Sequence, residues 1–328
     1  MNASKSLTGD WAWYVDHYRL LQSLPLGAYL GERITPFKIK STEPVYYGLS
    51  FLLSRATDAS VEVLAVVITC IVYVTLSVAL VSLWPLSDRP GVTGVAVFSA
   101  LTTGVTFTLT TQLVRQEIAG AVVLLGATVL WRGHIALGAL LMTVGVLTHN
   151  SAIVLAAAAA AAFVMSRVHM RGRAVQLLAV ALATSSGLVW ARLDGAGYSG
   201  RSDGEIDPSV FLLDLAIFGL FLASGRYSHA VRDIWEPARR TLLLYVGFLA
   251  GVASLPIPFL RMYFYLEDLR VLAVCLLVMV WCGTGQKAML RGALVVLASL
   301  AYLQARLVSS PFEYGANFFT ALLQGLLA

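Results

Sequence analysis

The chain has 328 residues, of which 58% are hydrophobic and 12% charged, and its mean hydropathy is +0.78. A soluble domain carries about 25% charged residues, so this composition excludes an ordinary water-soluble enzyme and marks a membrane protein. The net charge of +5 is modest; it reports orientation in a bilayer and gives no reason to expect a nucleic-acid partner.

The first 60 residues are polar and aromatic, with no basic start followed by an apolar core, so no cleavable signal peptide is visible. Within them WAWYVDHYRLLQSL places aromatic or apolar residues at 11, 14, 15, 18 and 21, the spacing of one helical face, with Asp16 and Arg19 off it. Such a helix suits the plane of the membrane interface. STEPVYYGLSFLLS predicts a second short helix, because proline suits a first turn and a preceding Ser or Thr can cap it. Glu43 then sits at the positive end of that helix, which favours its ionised form.

A helical span needs about 20 largely apolar residues. Apolar segments follow at 61–84, 92–112, 118–131, 135–148, 151–165, 174–190, 208–223, 241–255, 269–282 and 293–307. They predict about ten transmembrane helices, some too short to cross unaided, and helices rather than barrel strands. Cys70, Cys275 and Cys282 all fall inside these segments, where a thiol behaves as a small hydrophobe. The alanines from Ala156 to Ala162 are read as small residues that let helices approach closely. The domain division is an extracytoplasmic arm at 1–60 and a polytopic domain at 61–328.

Basic residues crowd one set of loops, with SRVHMRGR, 166–173, the densest stretch; the positive-inside rule puts that set in the cytoplasm and both termini outside. The chemically able residues gather at the other, outward ends. These include Arg115, Gln116 and Glu117; His149, Asn150 and Ser151; Arg261, Tyr263, Tyr265 and Arg270; and Glu313 and Tyr314. Val92 to Trp131 would be about 60 Å as one helix, twice the hydrocarbon thickness, so the chain turns near Arg115 and the polar trio opens the returning span. Arg115 there either snorkels and pairs with Glu117 or serves a site. Tyr263 and Tyr265, two apart, cannot share a helix face and fit an aromatic belt better than a sugar platform. The acidic loop RSDGEIDP, 201–208, lacks the twelfth-position glutamate of a calcium loop and reads as solvated.

The ordered motifs GDWAWYVDHY, EPVYYGLSFLLS, RQEIAGAVVL, THNSAIVL, RMYFYLEDLRVL and PFEYGANF, running from Asp10 to about Asn317, resemble the EpsG family of Wzy-like polysaccharide polymerases. Proteins of that family usually begin with a transmembrane helix before the GD…Y motif, and none precedes Gly9 in this sequence. The resemblance implies an all-α, polytopic helical membrane protein of GT-C-like character in the bacterial inner membrane. Its active site would face the periplasm or exterior, with lipid, two polyprenyl-diphosphate-linked oligosaccharides and a chain-length regulator as partners. The product would be exopolysaccharide or O-antigen. A hydroxyl of one oligosaccharide would attack the anomeric carbon of the other and expel a lipid diphosphate. Arg115 and Arg261 suit that leaving group, since guanidinium binds phosphate oxygens bidentately. His149, Glu43 and Asp16 are the candidate proton acceptors, and imidazole titrates nearest neutrality. Gln116, Asn150, Tyr265, Arg270 and Tyr18 complete the expected substrate contacts, with no cofactor and no metal. A translocator of lipid-linked sugar and a ligase moving finished glycan to another acceptor are the alternatives.

Overall fold

The computed structural model describes residues 10–25, 43–83, 90–105, 110, 113–168, 172–194, 208–224, 232–282 and 287–308. Among them the regular structure is helical throughout. In order come α1 (Asp10–Ser23), α2 (Pro44–Ala56), α3 (Val61–Val81), α4 (Pro90–Gly104), α5 (Val114–Trp131) and α6 (Ile135–Thr148). A 3₁₀ turn (Asn150–Ala152) leads into α7 (Ile153–Arg167), followed by α8 (Arg173–Asp194), α9 (Pro208–Ser224) and α10 (Arg232–Val252). The chain closes with α11 (Pro256–Tyr263), α12 (Tyr265–Cys282) and α13 (Ala288–Val308).

Among the described residues 5 helices are long and apolar enough to cross a membrane: α3, α5, α7 with its leading turn, α8 and α13. The other expected spans fall on α4, α6, α9, α10 and α12. The first three are short, and the last two open with charged residues. Leu177, Leu178, Met289 and Leu297 point outward from α8 and α13, more than half exposed, as they must where lipid rather than protein covers them.

The bundle is organised around α5. Its apolar window is 78% buried, against 11% for α8 and α13, because it packs against α3, α6, α7 and α12. A helix apolar on every side belongs in such a centre. Its approach to α6 is close: a Cβ on Gly145 would stand 2.9 Å from the Ala119 carbonyl, and one on Gly126 2.9 Å from the Gly138 carbonyl. Since α6 returns along α5 after the turn at Arg132 to His134, the last turn of α6 lies beside the first turn of α5. That juxtaposition positions the site.

The arm behaves differently from its expectation. The predicted stripe is buried, Trp11, Tyr14, Val15, Tyr18 and Leu21, but it is covered by α2 and the start of α5 rather than by a membrane interface. Ser54 Oγ donates to the Tyr18 carbonyl at 2.8 Å, and Arg55 donates to the Leu24 carbonyl. The corner from α2 into α3 uses two left-handed residues, Asp58 and Ala59, at φ 49 and φ 54. Hydrogen bonds from Ala59 N–H to the Ser54 carbonyl and from Ser60 N–H to the Thr57 carbonyl hold that corner.

Candidate functional site

Pro44 opens α2, and Glu43 occupies the N-cap with no side-chain capping bond. The Ser and Thr expected to cap, Ser41 and Thr42, lie outside the described residues. Free of that duty, the Glu43 carboxylate bridges two other elements. Oε2 accepts from Arg115 Nη1 at 2.5 Å, and Oε1 pairs with His149 Nδ1 at 2.5 Å and accepts from the Asn150 backbone N–H at 3.4 Å. Burial opposes ionisation of Glu43, but the His149 hydrogen bond and the Arg115 charge outweigh it and hold the carboxyl below its usual range. An ionised carboxylate only accepts, so in this contact His149 Nδ1 is the donor, and Nε2 is left outside the bridge.

Arg115 stands in the first turn of α5, as expected, but its partner is not Glu117. Two residues apart on a helix do not face each other. Beyond Glu43, it donates from Nη1 to Tyr47 Oη at 3.2 Å and from Nε to Tyr14 Oη at 3.4 Å. The rings of Trp13, Tyr14 and Tyr46 lie 5.5, 5.8 and 5.9 Å from its guanidinium carbon, within cation–π range. Burial raises the pKa of the Tyr14, Tyr46 and Tyr47 hydroxyls, partly offset by the arginine, so they remain neutral partners to the cation. The side chain keeps 25% of its surface exposed.

The remaining expected residues divide. Gln116 Nε2 donates to the Arg261 carbonyl at 2.5 Å, so the last turn of α11 sits against the first turn of α5 while the Arg261 residue itself is exposed. Tyr265 is fully buried and bonds Ser151 Oγ at 3.0 Å, next to Asn150. Tyr263 is buried too and donates to Asp214. Neither tyrosine forms an aromatic belt, because both hydroxyls find partners inside the bundle. Asp16 lies on the exposed face of α1, away from the carboxylate bridge. Tyr18 is spent on Thr57, its Oη 2.6 Å from Oγ1. RSDGEIDP, Glu313 and Tyr314 fall outside the described residues, Pro208 excepted.

Arg270 belongs to a second, interior group. It has no exposed surface, donates to Asp214 at 2.8 Å and from two nitrogens to the Gly104 carbonyl at 2.8 and 3.0 Å, and reaches Glu267 at 3.4 Å. It thereby ties the end of α4 to α9 and α12. Glu117 turns toward this region and shares its electrostatics with Glu267 and Asp268, and Asp268 packs on Gly120 where any Cβ would overlap it.

Sequence reasoning did not foresee the roles of Tyr14, Tyr46, Tyr47 and Asp214. Two signals could have found them. Glu43, Tyr46 and Tyr47 are spaced i, i+3 and i+4, one face of a helix, and Asp214 is a lone carboxylate inside VFLLDLAIFG.

Chemically, the bridge combines an arginine with exposed surface, an oriented imidazole and a carboxylate linking them, at a place where α1, α2, α5, α6 and α7 converge. Neither a curated protein nor a solved structure matches the chain. A family model does, over residues 5–189, which takes in Glu43, Arg115, His149 and Ser151 but stops short of RMYFYLEDLRVL and PFEYGANF. That match covers more than half of the sequence and every residue of the carboxylate bridge, and by it the chain belongs to the EpsG family, a family of Wzy-like polysaccharide polymerases.

Proposed function

We propose that the protein joins lipid-linked oligosaccharides at the outer face of the bacterial inner membrane, with the Glu43 bridge as its reaction centre. An acceptor hydroxyl attacks the anomeric carbon of the donor. As that C–O bond forms, the bond to the lipid diphosphate breaks, and its electron pair leaves on a phosphate oxygen. The hydroxyl proton passes to His149 Nε2. Glu43, bonded at Nδ1, fixes the imidazole and stabilises the imidazolium, the role a buried carboxylate plays beside a general-base histidine.

Charge develops on the departing diphosphate, and Arg115 and Arg261 supply the positive field for it. Arg115 is held by Glu43, Tyr14 and Tyr47, so it needs little reorganisation when charge develops. The single observation that carries this reading is the shared carboxylate, with His149 Nδ1 and Arg115 Nη1 each 2.5 Å from one of its oxygens. The cluster lies at helix ends: the first turn of α5, the cap of α6 and the cap of α2. That position supports a reaction at the membrane surface over a midplane transport site.

The test is direct. Purified protein in lipid nanodiscs is given polyprenyl-diphosphate oligosaccharide, and products are resolved by size. A ladder of repeat lengths supports polymerisation. A single transfer to another lipid or to a protein identifies a ligase, and in a parallel assay with the protein in sealed vesicles, unchanged donor moved across the membrane identifies a translocator.

A further inference from the structure

The alanine run in α7 does more than allow close packing. One side of α7 does rest on α10, but toward α8 the small side chains leave an unfilled slot of about 500 Å³. Ala157, Ala158 and Ala161 form its α7 wall, Ala183 and Leu182 its α8 wall, and Phe248 of α10 part of its floor. The lining carries no charged residue.

The slot has a direction. On α7 it runs from Ile153 to Met165, about 18 Å at 1.5 Å per residue, more than half the hydrocarbon depth. On α8 it runs alongside from Trp190 back to Ala179. Its Ile153 end begins directly after the Asn150–Ala152 turn, and that turn carries Asn150, bonded to Glu43, and Ser151, bonded to Tyr265. An apolar slot thus starts within one helical turn of the polar cluster and descends from it.

We infer that this slot holds the hydrocarbon tail of a polyisoprenyl diphosphate substrate, with the diphosphate at the Arg115 end. The inference rests on the function proposed above and adds where the lipid lies. The occupant is fixed by the two ends of the path. A tail lying in the slot brings its own head to the Glu43 bridge, where the partly exposed Arg115 guanidinium, with the Tyr14 and Tyr47 hydroxyls beside it, suits a diphosphate. The volume falls within the roughly 300–1,000 Å³ of ligand sites, enough for the isoprene units next to the head while the rest of the chain continues into lipid.

The experiment uses the full chain in nanodiscs and a polyisoprenyl diphosphate with a diazirine in the isoprene units near the head. Mass spectrometry locates the crosslinks. They are expected on the α7 and α8 walls, displaced by unlabelled polyisoprenyl diphosphate and not by phosphatidylglycerol. Ala161→Phe, which fills the slot, should lower crosslink yield on the order of tenfold, and the milder Ala157→Leu less, while Leu177→Phe on the lipid-facing side of α8 leaves it unchanged. Monodisperse elution of each variant establishes that it folds. Crosslinks insensitive to Ala161→Phe and Ala157→Leu, or displaced equally by phosphatidylglycerol, would overturn the inference by making the slot an ordinary lipid contact. Because crosslinking needs no turnover, a wild-type protein that ladders glycan yet gives no wall crosslinks refutes the slot alone. Wall crosslinks without any ladder refute the polymerase reading alone.

Discussion

Glu43 and His149 are 106 residues apart in the chain and meet at 2.5 Å, Oε1 to Nδ1. The same carboxylate holds Arg115 through its other oxygen at 2.5 Å. One side chain from the N-terminal arm therefore fixes both the proton acceptor and the cation of the proposed site.

Replacing Glu43 by Gln keeps the shape but removes the charge. An amide can no longer stabilise an imidazolium, so polymerisation should fall on the order of 10²-fold. The ladder assay reads the rate, and a thermal melt within a few degrees of the parent shows the fold is retained. Unimpaired laddering would remove Glu43 from the mechanism.

Arg115→Lys retains a cation but loses the planar fork that reaches Glu43, Tyr14 and Tyr47 together. Activity should fall by about 10²- to 10³-fold. In a double-mutant cycle with Glu43→Gln, the Arg115→Gln and Glu43→Gln effects on stability should couple by about 1–3 kcal/mol. Simple additivity in detergent unfolding would show that the pair contributes nothing to the fold.

Arg270→Ala should act on folding rather than on chemistry. It strips Asp214 of its cationic partner, the Tyr263 hydroxyl remaining, and leaves the Gly104 carbonyl without the two guanidinium donors, at a cost of about 3–5 kcal/mol. The readout is loss of monodisperse protein on expression. A well-folded Arg270→Ala variant with no activity would instead return this residue to the substrate.

His17 makes the arm sensitive to acid. It is fully buried against Trp13 and Tyr47, and burial together with the nearby Arg115 charge lowers its pKa from 6.5 to about 4. Between those values the unfolded arm binds a proton that the docked arm refuses, so docking weakens as pH falls through that window, by on the order of 3 kcal/mol in full. His149 and Arg115 hold Glu43 below the usual carboxylate range despite its burial, so its bridge is lost only further toward acid. Protease protection of the arm against pH measures this, and His17→Phe should flatten the profile above about pH 5.

The legible parts of this molecule were the local ones. The stripe at Trp11, Tyr14, Val15, Tyr18 and Leu21 follows from a 3.6-residue period, and among the described residues each apolar segment read from the sequence falls mostly on a helix. Partners across long separations were not legible. Arg115 has Glu117 two residues away, yet helix geometry turns that carboxylate toward α12 and leaves Glu43, 72 residues earlier, to meet the cation. His17 lies beside the apolar stripe, but its burial depends on what α2 and α5 bring to it. The alanines of α7 show a different limit: a small side chain permits either close packing or a void, and composition is the same for both.

The shared carboxylate also orders events during synthesis. Glu43 emerges from the ribosome 72 residues before Arg115 and 106 before His149. Until α5 and α6 have entered the bilayer, the arm carries an acid with neither counter-charge nor imidazole. The proposed reaction centre can therefore form only after α5 and α6 have been made, and the arm must meet them there.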